Sequence, residues 1–74
     1  MKKVTYYTID GDNNTFKTLR DAKHHIYVAY TAREAVKYLT GATITKVSGD
    51  NILTITPVQV SDEGRVTYGK TRRF

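Results

Sequence analysis

Three groups of residues in this 74-residue chain have types and spacings that could do chemistry. The first is Gly64-Arg-Val-Thr-Tyr-Gly69-Lys70-Thr71, which matches the phosphate-loop pattern of two glycines followed by Lys and Thr. That loop works only between a strand and a helix, where backbone N–H groups and a helix N-terminus converge on the phosphates. Here only Arg72, Arg73 and Phe74 follow, too few for a helix, and Arg65 to Tyr68 alternate like a strand. The match reads as accidental. The second is Asp10-x-Asp12-x-Asn14 with Asp21 beyond it, which mimics a calcium loop. It has Thr15 where that loop needs glycine and Lys17 where it needs an apolar residue. A turn leading into a helix is the better reading. The third is His24-His25. Neighbours on a helix point about 100° apart, so the rings share no face, and no cysteine supplements them. Two exposed histidines are expected, with Asp21 the nearest acid along the chain.

Ser48 and Ser61 fall in expected turns, and the seven acids are scattered. No nucleophile–base–orienter set can be assembled, so the chain reads as a non-catalytic protein with no cofactor and no metal.

The cations are more informative. The chain carries a net charge of +5 with pI near 9.6. Basic excess favours acidic partners, nucleic acid first, although charge alone also serves solubility. Arg20, Lys23, His24 and Tyr27 follow helical spacing and share a stripe. Arg33 and Lys37 are four apart, a like-charge pair that costs a few tenths of a kcal/mol on an isolated helix. Arg65, Lys70, Arg72 and Arg73 form a third group. The candidate phosphate contacts are therefore Arg20, Lys23, Arg33, Lys37, Lys70, Arg72 and Arg73. Six tyrosines are many for so small a core. Some must be exposed or at an interface, where an apolar body with a polar tip is favoured.

These residues need a scaffold. A chain this short makes one domain, residues 1–74, burying roughly 60% of its unfolded surface, with residues 71–74 read as a loose basic tail. No disulfide can staple it, and no apolar run reaches the length of a membrane span. A soluble cytoplasmic protein without membrane contact is expected. Lys3 to Ile9 is β-branched and aromatic and reads as a strand. Phe16-Lys-Thr-Leu-Arg-Asp-Ala-Lys23 resembles a loop-to-helix transition, with a helix starting near Thr18. Leu19, Ala22 and Ile26 form its apolar face. Thr31-Ala-Arg-Glu34 is a capping box for a second helix, faced by Ala32, Ala35, Val36 and Leu39 and stopped by Gly41. At about 100° per residue, Leu19 and Ala32 would point nearly opposite ways on one continuous helix. A break between Tyr27 and Tyr30 is expected, with residues 26–30 either ending the first helix or forming an extended link. Three strands follow: Ala42 to Val47, Ile52 to Val60 and Arg65 to Lys70. Ala42, Ile44, Leu53 and Ile55 are expected inward, with Pro57 shifting the face so that Val58 and Val60 turn inward. Thr43, Thr45, Thr54, Thr56, Arg65 and Thr67 would make the solvated face.

The expected architecture is α+β, β-α-α-β-β-β, a four-stranded mainly antiparallel sheet with two short helices on one face. The first strand inserts beside the last strand or beside the second. The expected function is a small basic non-catalytic binding module contacting nucleic-acid phosphates. The alternative is a protein-interaction or homodimerisation module using exposed tyrosines and a sheet edge.

Overall fold

The strand–helix–helix–strand order of the sequence folds into an antiparallel sheet with two short helical segments packed on it, in a computed structural model that describes residues 4–73. The strands are β1 (Thr5–Ile9), β2 (Thr15–Phe16), β3 (Thr43–Ser48), β4 (Asn51–Val60), β5 (Val66–Tyr68) and β6 (Arg72–Arg73). The sheet therefore has six strands, not four. Both additions are two residues long. β2 folds back on β1 through the Asp10–Asn14 turn, with Tyr7 opposite Phe16. β6 pairs with β4, placing Arg72 opposite Ile55 and Arg73 opposite Thr54. The expected loose tail is thus drawn onto the sheet as far as Arg73; Phe74 lies outside the described residues, as does Lys3 of the expected first strand.

The strand order is β2-β1-β3-β4-β5, with β6 also on β4. β1 lies beside β3, the second of the strands expected from sequence. β4 is ten residues long and is served along one edge by β5 and then β6. Pro57 sits at that changeover. Its missing N–H would fall where neither β5 nor β6 offers a ladder bond, while its carbonyl accepts from Gly69 N–H at 2.9 Å.

Helix α1 spans Leu19–Ala29 and is capped by the Thr18 hydroxyl, which accepts from Asp21 N–H at 3.0 Å. Tyr30 closes it in an extended conformation, so residues 26–29 finish the helix and the break falls at Tyr30–Thr31. Helix α2 (Ala32–Glu34) begins with the expected capping box: Thr31 Oγ1 accepts from Glu34 N–H, and Glu34 Oε1 accepts from Thr31 N–H. Such a cap is worth about 1 kcal/mol. The chain continues as a π-helical stretch, Ala35–Leu39, in which Ala35 and Leu39 are buried.

The core is Ile9, Ala22, Ile26, Ala35, Leu39, Ala42, Ile44 and Val58, with Tyr7, Phe16, Leu19, Tyr30, Val60, Val66 and Tyr68 packed around it. The inward face of β4 departs from expectation. The register shift lies between Lys46 and Val47, opposite Leu53, and not at Pro57. Thr54, Thr56, Val58 and Val60 consequently share the helix side without interruption. Thr56 is buried, whereas Leu53 is 38% exposed and Ile55 opposes Thr45 on the back face. Thr43, Thr45 and Thr67 do lie on that back face. Thr56 is satisfied by Thr71, hydroxyl to hydroxyl at 2.8 Å. Among the described residues, no helix is long and apolar enough to cross a membrane.

Candidate nucleic-acid interface

A groove of about 450 Å³ runs between α1, the start of α2 and β5. Its floor is apolar, formed by Ile26, Ala35 and Val66. Tyr27, Tyr30 and Tyr68 supply aromatic walls, and Lys23 and Arg65 supply charge; among the described residues no Asp or Glu lines it. Lys23 comes from the expected cationic stripe of α1, and its Nζ lies over the Tyr68 ring, 4.7 Å from the centroid. That contact fixes a flexible cation at the groove wall at a gain of about 0.5–1 kcal/mol. Burial raises the Tyr68 hydroxyl above its ordinary pKa, so the ring stays neutral beside the ammonium. Tyr27, one turn along from Lys23, is 84% exposed.

The glycine of the phosphate-loop-like match, Gly64, forms the far end of this groove. It adopts a left-handed conformation, φ +86°, and packs its backbone on Ala32; a Cβ there would stand 2.5 Å from Ala32 Cβ. The second glycine, Gly69, lies against the Pro57 ring. Both glycines are explained by close packing between elements, and Lys70 and Thr71 follow in a connection between strands instead of a helix.

The seven candidate phosphate contacts do not form one surface. Arg20 and Lys23 stay together on α1. Arg33 and Lys37 line a separate hollow with Asp62 and Glu63, so acids share their surroundings. Arg72 and Arg73 are successive residues of β6 and therefore point to opposite faces. Arg73 joins Lys46, Leu53 and Thr54 at another hollow, while Arg72 sits across from Ile55 on the back face. Lys70 is exposed in the connection between β5 and β6. Arg65, which the residue spacing grouped with the tail, belongs instead to the groove.

A second constellation was not visible in the sequence. The Asp12 carboxylate, only 7% exposed, accepts at Oδ2 from the Tyr30 hydroxyl at 3.0 Å and lies 2.9 Å from His25 Nε2. A carboxylate only accepts, so this contact places the proton on Nε2. Asn14 donates its backbone N–H and side-chain amide to Asp12 Oδ1. The His25 ring packs on Phe16 at 5.0 Å and edge-on to Tyr30 at 6.0 Å. His25 is thus half-buried, not exposed as expected, and its acid is Asp12, not Asp21. Burial works to raise the Asp12 carboxyl, but the bonds from Asn14, Tyr30 and His25 outweigh it and hold it below its ordinary value. Tyr30 is pushed up by burial, by its bond to Asp12 and by the charges of Asp12 and Glu34. The arrangement clasps the β1–β2 turn to the end of α1. The other acid of the calcium-like pattern, Asp10, turns the opposite way and accepts from Thr43 N–H at 3.2 Å and from its hydroxyl at 3.1 Å. The residues of that pattern therefore serve two different tertiary joints.

Comparison with family models, with curated proteins and with solved structures finds no match to this chain.

Proposed function

We propose that the protein is a small non-catalytic binding module that contacts nucleic-acid phosphates at the groove between α1 and β5. The observation that carries this reading is the groove in which Lys23 and Arg65 supply the charge and Tyr27 and Tyr68 the aromatic walls. Arg20 extends the same cationic stripe along α1. Phosphate contacts of this kind give affinity that falls steeply with salt and carries little base specificity. The test is fluorescence anisotropy with labelled random-sequence nucleic acid at low and at physiological salt. Binding that weakens with salt, with a shallower slope after Arg20→Ala and Arg65→Ala, is the expected result. No binding at low salt sinks the proposal and leaves the +5 charge as a solubility feature.

A second reading, self-association, draws support from the back face of the sheet, which none of the described elements covers. There Tyr6, Val47, Ile55 and Pro57 are only half-buried, and Ile52 is 41% exposed. Sedimentation equilibrium separates the two: a monomer across the accessible concentration range removes self-association without touching nucleic-acid binding.

A further inference from the structure

We infer that the groove takes an unpaired base of a single strand, with Tyr27 as its stacking platform. This rests on the phosphate-binding reading and narrows it to one class of nucleic acid.

Three observations lead there. The first is shape. Lys23 and Arg65 line a concavity bounded by α1 and a three-residue strand. Reading a duplex requires an element that enters a major groove about 12 Å wide or tracks two phosphate ridges. A concave slot instead admits a strand whose bases are free to turn inward. The second is the lining. Its floor of Ile26, Ala35 and Val66 is apolar, and its charge is confined to Lys23 and Arg65. A nucleotide matches this division, with a flat ring for the floor and walls and a phosphate for the cations. An acidic peptide would present its charges residue after residue and leave the floor uncovered. The third is Tyr27. It exposes 84% of its surface beside Lys23, one of the largest solvent-facing aromatic surfaces on the molecule. Every base has a π face, so stacking on such a ring is tolerant of sequence. Tyr68 cannot offer the same service on the face that Lys23 already covers.

The experiment compares three labelled probes of equal length by anisotropy: a single-stranded oligonucleotide, the same strand in a duplex, and an abasic strand with the same backbone. Each is titrated with the native protein, Tyr27→Ala, Tyr27→Phe and Arg65→Ala. The single strand is expected to bind at least about tenfold more tightly than the other two. Tyr27→Ala should weaken single-strand binding roughly 5- to 150-fold, since base–aromatic stacking carries that range, while Tyr27→Phe retains it. Arg65→Ala should weaken all three probes. Because Tyr27 is exposed, an unchanged melting temperature confirms that each Tyr27 variant is folded. Equal binding of all three probes, or no effect of Tyr27→Ala, overturns the single-strand inference and leaves phosphate binding standing. No binding of any probe removes both.

Discussion

Gly69 crosses the Pro57 ring so closely that a Cβ on it would stand 2.7 Å from Pro57 Cγ. The same pair is joined by a hydrogen bond from Gly69 N–H to Pro57 C=O at 2.9 Å. Proline and glycine thus form a fitted unit where β4 exchanges one edge partner for another.

Gly69→Ala is therefore expected to destabilise the protein by about 1–3 kcal/mol, the usual range for overpacking a closed contact. The same substitution in a Pro57→Ala background should cost clearly less, because the opposing ring is gone. Chemical denaturation of the four members of this cycle measures the coupling. Equal costs in both backgrounds would contradict the fit.

Gly64→Ala is expected to be the more damaging change, at about 2–4 kcal/mol. It combines left-handed strain with overlap against the Cβ, Cα and carbonyl of Ala32, atoms that cannot swing aside. Thermal unfolding gives the comparison, and Gly64→Ala milder than Gly69→Ala would contradict it.

The clasp at Asp12 predicts a pH dependence with a definite sign. Its folded carboxyl is held below the ordinary value, so the folded state binds fewer protons there than the unfolded state. The stabilisation is present above about pH 4 and is lost as pH falls below that through the folded value. Asp12→Asn should cost roughly 1–2 kcal/mol at neutral pH and flatten this acid limb. Tyr30 and Tyr68 act in the reverse direction: their raised values add stability below about pH 10 that disappears above it. Melting temperature against pH for the native protein and Asp12→Asn checks the acid limb, and an identical limb in both would exclude Asp12 as its source.

Thr56→Val should loosen β6 more than it loosens the sheet. Valine keeps the shape but leaves the Thr71 hydroxyl without its 2.8 Å partner. Amide hydrogen exchange at Arg72 and Arg73 is expected to quicken while that at Ile44 and Val58, whose N–H is bonded to the Ala42 carbonyl, stays slow. Exchange that quickens uniformly would mean that the hydroxyl pair supports the whole sheet.

Both helix starts were legible because Thr18 and Thr31 carry capping chemistry in a local pattern. The face of α1 was legible because Ala22 and Ile26 keep helical spacing. β2 and β6 were not legible. Two residues have no periodicity, and both strands exist only because a longer neighbour offers an edge. The inward face of β4 was misread because Pro57 looks like the natural place for a bulge. The register shift sits instead at Lys46 and Val47, where nothing in the local sequence announces it. For the site, the α1 stripe was readable from spacing alone. Its meeting with Arg65 and Tyr68 depends on where β5 lies, and the joining of Asp12 to His25 and Tyr30 depends on the packing of α1 against β1 and β2. Such long-range placements leave no trace in residue spacing.

The position of β1 has a consequence for how the chain comes off the ribosome. β1 is made before both helices, yet its main partner is β3: Thr5 pairs with Ser48 and Ile9 with Ile44. Only Phe16 and Thr15 can meet it earlier. At translation rates of about 5–20 residues per second, Tyr6 and Tyr7 stay without most of their sheet for seconds while both helices are made. The β3–β4 hairpin, whose strands are close in sequence, is then the template onto which β1 must return.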